Sequence, residues 1–599
     1  MSKELRVVVC AFLLTLSGSV INRAVDTTFQ LYAAPQVPFT DPDTAFIPAI
    51  GDGGVDLGIA LSGGGSRAAF YSIGVLKGLY DQGYLQQADA LSAVSGGGYT
   101  LAWLVSQSMA AQAAGGASRF GDGVFSDDQW RQRNSFVQTK SEVIPTFKTL
   151  LYALREQIAL RDSYAYRVDR FARCSETLVE HCPDFASTPQ LMSFQQAIHD
   201  GRLPFFQYNF AISTRSKQRL DNIARLHPGA VAESARDMVR LDGLVEASPF
   251  GFGNDVYGHH PWMAQDDMPL LKAVGISGAA TRYMLPYQLP DYIFGRIAPA
   301  TGITAYDGAG AELIGQGEKL GALALMRKHI PNIIIVDTEL DPNYDFDAYK
   351  VLKRLARQVG INLSIQELDC SLGLDGCKSL AEYRFQPILN LPPVMIGTAE
   401  ADVFPNQSPD GKIKMNIAYI KLSMSNQLFA YAPTQPAGAR FCAASADYDA
   451  LDDRNRNDRT TDSNGRRVLS RALIAKLGSE PISRGHYAAA VVDYANFVEK
   501  HWRWGALGYA HSEVSKFTSY QFPMITTLDQ TFSPEESEAL VGLGYLQAQL
   551  LNPYVKDKPM LFKPPGEQAM VCRKQRQGRP TEPLNDQSAD QIRLTSPTS

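Results

Sequence analysis

The sequence predicts an α/β fold with a mainly parallel central sheet flanked by helices, plus helical insertions and a C-terminal extension. Three observations predict it. First, Leu57 to Leu61 is a short apolar run ending in Gly63-Gly64-Gly65. From Ala68 to Tyr80 apolar residues then recur at helical spacing, with Ala69, Ile73, Leu76 and Tyr80 on one stripe. Second, the pattern repeats: Ala90 to Val94 is apolar, Ser95-Gly96-Gly97-Gly98 turns the chain, and Tyr99 to Met109 reads as a helix. Strand, glycine turn and helix in alternation are the mark of a parallel α/β sheet. Third, Ile333 to Val336 is a β-branched run followed by Asp337. An uninterrupted apolar strand of this kind is covered on both faces.

The remaining elements are placed around these. Phe205 to Ser213 alternates well enough for a strand, and Asp242-Gly243-Leu244-Val245 runs on into another. Residues 110–200 are polar and helical in character and read as an insertion; 440–470 is a charged stretch expected to be a surface loop. Ser533-Pro534-Glu535-Glu536 starts a helix, with serine as N-cap, proline in the first turn and glutamate in capping-box position. Residues 26–55 form an extended Pro- and Asp-rich lead-in. The polar tail 573–599 is expected to be disordered. No internal repeat is found.

Composition narrows the function. The chain has 599 residues, 45% of them hydrophobic, and a mean hydropathy of -0.17. Length alone suggests about four domains, and one large catalytic unit with insertions fits equally well. With 57 basic against 62 acidic residues and a net charge of -5, the chain lacks the basic excess that displaces counterions from nucleic acid. Residues 1–25 read as a signal peptide or N-terminal anchor. Lys3 and Arg6 precede apolar Val7 to Leu16, and Ser17-Gly18-Ser19 offers a cleavage site. The protein is therefore expected to be exported: periplasmic, secreted or membrane-associated. Ser19 stands where a lipoprotein signal would need cysteine.

Seven cysteines are present, with Cys10 inside the signal. The six others fit disulfides in an exported chain. Cys174/Cys182 and Cys370/Cys377 would close short loops and leave Cys442/Cys572, one of the fifteen connectivities that six cysteines allow. No C-x2-C pair suggests zinc.

The chemistry centres on Ser95. A sharp strand-to-helix turn lifts a nucleophile out of a sheet and tolerates only small neighbours. Here the turn reads Ala93-Val94-Ser95-Gly96-Gly97, with alanine for the usual first glycine. The second feature is Ser62-Gly63-Gly64-Gly65-Ser66-Arg67. A glycine run between strand and helix gathers backbone N–H groups at the positive end of a helix dipole and suits a phosphate or an oxyanion. No P-loop pattern is present. A dinucleotide fingerprint survives only weakly through Gly63, Gly65 and Ala68. An oxyanion hole explains more, because a serine elbow follows about thirty residues later.

A serine nucleophile needs a base. None of the nine histidines lies in an obvious catalytic turn, and His259-His260 reads as structural. Among the Asp-Gly pairs, Asp307 is favoured. It follows the apolar run Ile303 to Tyr306 and precedes Gly308-Ala309-Gly310, at a strand end where open α/β sheets place their sites. Asp242 is the runner-up.

Loop, serine and aspartate, in this order, resemble the patatin-like phospholipases of the patatin and cytosolic phospholipase A superfamily, in a large exported bacterial form. Gly63-Gly64-Gly65-Ser66-Arg67 is similar to the family's G-G-G-x-R loop, Ser95 in Val94-Ser95-Gly96-Gly97-Gly98 to its elbow, and Asp307-Gly308-Ala309 to its D-G-[GA] turn. Ile276-Ser277-Gly278-Ala279-Ala280 is similar to a small-residue stretch between elbow and aspartate, and Phe522 to Tyr545 resembles a C-terminal segment of large bacterial relatives.

The resemblance implies a three-layer fold with a catalytic core at 56–350 and the rest of the catalytic unit at 351–572. It implies a Ser95/Asp307 dyad, an oxyanion hole from Gly63, Gly64, Gly65 and Gly96, and no metal or cofactor. Arg67 would orient a lipid phosphate, or hold the loop through a salt bridge. The expected partner is a phospholipid or other ester lipid at a membrane surface. Acyl transfer by the same acyl-enzyme, and a non-catalytic lipid- or protein-binding scaffold, are the competing readings.

Overall fold

The computed structural model describes residues 56–115, 119–125, 189–212, 243–254, 258–262, 267–279, 287–288, 304–308, 317–339, 346–372, 374, 394–402, 412–422, 460–461, 467–468, 534–549 and 551. The expected N-terminal signal and lead-in, most of the expected 110–200 insertion, the expected 440–470 loop (apart from 460–461 and 467–468), Asp242, the side chains of all six remaining cysteines and the expected tail lie outside the described residues and side chains.

The expected first unit is present. Strand β1 (Leu57–Leu61) leads through the glycine run into helix α1 (Gly65–Asp81). Strand β2 (Ala90–Ala93) leads through Ser95 into helix α2 (Gly96–Ala113). Both helices start earlier than their apolar periodicity suggests: α1 opens on Gly65-Ser66-Arg67 and α2 on Gly96-Gly97-Gly98.

Strand β3 (Phe205–Ile212) is followed by β4 (Leu244–Ser248), β5 (Gly251–Asn254) and β6 (Gly258–Pro261). Helix α3 (Leu270–Ser277) precedes the short strands β7 (Tyr287–Gln288) and β8 (Thr304–Asp307). Helix α4 (Ala322–Arg327) leads to β9 (Asn332–Asp337), and α5 (Asp347–Gln358) to β10 (Ile361–Ser364), β11 (Val394–Asp402) and β12 (Lys412–Lys421). Helix α6 (Pro534–Gln549) starts at the predicted proline.

Among the described residues, twelve strands form one sheet in the order β10-β11-β12-β9-β1-β2-β3-β4-β5-β6, with β8 paired to β3 and β7 to β8. The middle of the sheet, β12-β9-β1-β2-β3, is parallel throughout. Antiparallel strands extend it on both sides.

The sheet has an apolar layer on each face. Ile334 and Val336 of β9 point into the layer shared with α1, α2 and α3, while Ile333 and Ile335 point into the layer under α4 and α5. That two-sided burial is why the run carries no polar alternation. All eight residues of β3 are buried as well, so its partial alternation does not mark a solvent face. Helix α6 lies over α1, and its Leu540, Val541, Leu543 and Tyr545 join the same layer as α1.

Candidate active site

The loop after β1, the turn after β2 and the segment after β9 all lie at the C-terminal ends of parallel strands, where open α/β sheets hold their ligands. Ser95 sits at the junction of β2 and α2 with φ 49° and ψ -121°. A non-glycine residue in this region is strained and persists only where its surroundings over-determine it. Here they do. The Gly97 N–H donates to the Ser62 and Val94 carbonyls, and the Gly98 N–H to the Ser95 carbonyl. The Ser95 N–H donates to the Ser277 Oγ at 2.9 Å. Ser95 itself is 6% exposed.

The glycine loop and the elbow meet backbone to backbone. A β-carbon at Gly96 would stand 2.1 Å from the Gly65 carbonyl oxygen, so no other residue fits there. Gly64 has φ 150°, and a β-carbon on it would lie 2.9 Å from the Thr338 Oγ1. Among the described residues, no acceptor takes the N–H groups of Gly64, Gly65 or Gly96, which leaves them available at the start of two helices. Gly63 is different. Its N–H donates to the Lys319 carbonyl at 2.9 Å, so this glycine shapes the loop and does not offer the oxyanion donor expected of it.

The position of Asp307 follows from β3, which has two edges. Tyr208 pairs with both Ala93 of β2 and Ala247 of β4, so β2 and β4 lie on opposite edges. Phe210 pairs with both Val245 of β4 and Asp307 of β8. Strand β8 therefore occupies the edge that β2 vacates where the chain turns away at Ser95. It runs antiparallel to β3, so Asp307 reaches the elbow from an antiparallel insertion and not as the end of another parallel βα unit.

The small-residue stretch joins the two positions. Ser277 binds Ser95, and the Ala279 carbonyl accepts the Asp307 N–H at 3.0 Å. A β-carbon at Gly308 would meet the Asn209 carbonyl at 3.1 Å and the Val94 side chain at 3.3 Å. Asp307 is 5% exposed. The register along β3 sets the backbone of Asp307 on the edge that β2 leaves just before Ser95.

Asn209 is a supporting residue that sequence reading missed. Its Nδ2 donates to the Ser92 Oγ at 2.8 Å and the Ala93 carbonyl at 2.9 Å, and its own carbonyl accepts the Ser277 hydroxyl at 3.2 Å. Gln207 and Asn209, two polar residues within the run Phe205 to Ile212, were the available signal.

Arg67 is 1% exposed. Its Nε and Nη2 donate to the Thr338 carbonyl at 3.1 and 2.8 Å. Burial lowers its pKa to about 10, against the opposing attraction of Asp337 and Glu339. Those carboxylates sit in a buried ionic group. The Lys421 Nζ lies 2.8 Å from Asp337, the Tyr419 hydroxyl donates to Asp337, and the Lys319 Nζ lies 3.1 Å from Glu339.

Among the described residues no cluster of His, Cys, Asp or Glu is suited to hold a metal ion, and no helix is long and apolar enough to cross a membrane.

Residues 59–309 match the Patatin family model, described as patatin-like phospholipase. The matched span contains the glycine loop, Ser95 and Asp307, and the α/β arrangement is that of the patatin-like fold. No curated protein matches the chain. Among solved structures, human GIVD cytosolic phospholipase A2 is 12% identical with a TM-score of 0.40, covering 87% of this chain and 62% of that one. Its complex with methyl gamma-linolenyl fluorophosphonate inhibitor and terbium chloride is 13% identical with a TM-score of 0.39, covering 87% and 59%. VipD from Legionella pneumophila is 11% identical with a TM-score of 0.22, covering 90% and 99%. The chain thus spans about three-fifths of the human structures it is similar to.

Proposed function

We propose that the chain is a serine lipid acyl hydrolase of phospholipase A type, cleaving carboxylic ester bonds through Ser95 and Asp307. The observation that carries the reading is the strained Ser95, set between the open N–H groups of a glycine loop and the β3 edge that delivers Asp307. The patatin-like match over the same residues supports it.

Ser95 Oγ attacks the ester carbonyl as its proton passes to Asp307, directly or through one water. A free aspartate carboxylate, with pKa ~3.9, is a weak base near neutral pH, so the transfer is concerted with attack. The N–H groups of Gly64, Gly65 and Gly96 receive the developing oxyanion; one such donor is worth about 3–4 kcal/mol in the transition state. The tetrahedral intermediate collapses, and the leaving alcohol takes the proton from Asp307. Water then loses a proton to Asp307, attacks the acyl-Ser95 carbonyl and releases the fatty acid with the serine restored. The substrate is an ester lipid, most plainly a phospholipid at a membrane surface, and the protein meets it after export.

The test compares wild type, Ser95→Ala and Asp307→Asn on p-nitrophenyl butyrate and on phosphatidylcholine vesicles. Both variants should stay folded and lose roughly 10³-fold or more in kcat. An Asp307→Asn protein of wild-type rate sinks the assignment of the base. A wild type that releases no fatty acid but esterifies an added alcohol makes the protein an acyltransferase. A wild type inert on every ester favours the scaffold.

A further inference from the structure

One residue outside the family match holds the glycine loop. Thr338 follows β9 and is buried. Its N–H donates to the Ser62 Oγ at 2.8 Å. Its Oγ1 lies 2.8 Å from the same Ser62 Oγ and donates to the Gly63 carbonyl at 2.7 Å. Its own carbonyl accepts both guanidinium contacts from Arg67. The protons are consistent: Thr338 gives its hydroxyl proton to Gly63, and Ser62 gives its own to Thr338. All three polar groups of Thr338 are thus bound to the segment Ser62–Arg67.

The consequence lies in one peptide plane. The Gly63 carbonyl and the Gly64 N–H belong to the same planar trans unit and point in opposite directions. Fixing the carbonyl with the Thr338 hydroxyl turns the Gly64 N–H to the opposite side of the peptide plane, away from Thr338. In turn Arg67 fixes Thr338. Two donors of its planar fork bind one carbonyl, and swinging the side chain out to a lipid headgroup would abandon that carbonyl and strip a cation from Asp337 and Glu339.

We propose that Thr338 and Arg67 are positioning residues that aim the Gly64 N–H at the oxyanion, and that Arg67 is not a ligand for a substrate phosphate. The inference rests on the hydrolase reading above. It assigns the site to the carboxylic ester alone: a phosphate on the substrate gains nothing through Arg67.

The experiment uses the full chain as wild type, Ser95→Ala, Thr338→Val, Thr338→Ser and Arg67→Lys, each checked for folding by thermal unfolding. Substrates are diacylglycerol and phosphatidylcholine with the same acyl chains in the same detergent micelles. Thr338→Val keeps the shape and removes the hydroxyl. It should lower kcat about 10- to 100-fold on both lipids, toward the loss of one oxyanion donor, with KM little changed. Thr338→Ser should restore most of the rate. Arg67→Lys should lose the same factor on both lipids, leaving their ratio as in wild type.

A wild-type kcat in Thr338→Val overturns the proposal. So does an Arg67→Lys loss about tenfold or more greater on phosphatidylcholine than on diacylglycerol, the mark of a charge-assisted contact to phosphate. If Arg67→Lys does not fold, the Val and Ser variants of Thr338 decide. A wild type no faster than Ser95→Ala overturns the hydrolase reading itself, whereas an active wild type with an unimpaired Thr338→Val overturns only this inference.

Discussion

The Ser277 hydroxyl joins the Ser95 turn to the strand beneath it: its Oγ accepts the Ser95 N–H at 2.9 Å and donates to the Asn209 carbonyl at 3.2 Å. The bond fixes the backbone at a strained non-glycine residue. Removing the hydroxyl leaves a buried N–H unpaired, which costs about 1–3 kcal/mol, and lets the φ 49° backbone of Ser95 relax. Ser277→Ala should therefore lose about that much stability in urea unfolding. Its kcat on p-nitrophenyl butyrate should fall about tenfold, the equivalent of ~1.4 kcal/mol, with KM close to wild type. An unchanged kcat would show that α2 and the glycine loop hold the turn without Ser277.

The two βα units were legible because local chemistry dictates them. Glycine runs at strand ends leave few alternatives, and the Ile333 to Val336 run has no solvent face. The same local logic located Ser95, since only small residues can follow it where Gly96 touches Gly65. Asp307 was legible as a strand end, but its strand's direction was not: antiparallel pairing with β3 is a tertiary choice that leaves no periodicity in four residues. Asn209, Ser277 and Thr338 act through hydrogen bonds between distant segments; a polar residue in the β3 run marks a buried position, but nothing local names its partner. Arg67 was read from its place in the loop, whereas its contacts depend on Thr338, 271 residues away.

Helices α1 and α6 cross at their backbones, which makes small residues obligatory there. A β-carbon at Gly74 would stand 1.9 Å from the Val541 carbonyl oxygen, and one at Gly544 would stand 2.2 Å from that of Tyr71. Side-chain bonds continue the contact: Tyr545 to Asp81 at 2.9 Å, Gln82 to the Ala548 carbonyl at 2.9 Å, and Tyr71 to Gln547. Gly74→Ala and Gly544→Ala must each push the helices apart and should cost about 3 kcal/mol or more, at the upper end of overpacking. Gly115→Ala is the control. It has open space but φ 74°, so only backbone strain of about 1 kcal/mol applies. Thermal unfolding of the three variants should separate them clearly. Equal, small shifts would mean that α6 does not stay on α1 in solution.

Glu318 gives the protein a pH dependence of predictable sign. Its carboxylate accepts the Leu320 N–H at 2.6 Å and the Leu323 N–H at 3.2 Å, at the start of α4. Burial outweighs these bonds and raises its pKa from the usual 4.5 to about 7. Between those values the folded chain holds a proton that the unfolded chain has released. The native state therefore binds more protons, and stability falls as pH rises through that interval and levels off above it. The difference corresponds to roughly 3 kcal/mol across the full window. Glu318→Gln cannot ionise. It should start weaker at pH 4.5, because one acceptor oxygen is lost, and should then gain on wild type by up to about 3 kcal/mol by pH 7.5. Urea unfolding of both proteins at pH 4.5, 6 and 7.5 reads the difference directly. A constant gap between the two curves would mean that the Glu318 carboxyl titrates alike in the folded and unfolded chain, its bonds to the α4 amides offsetting its burial.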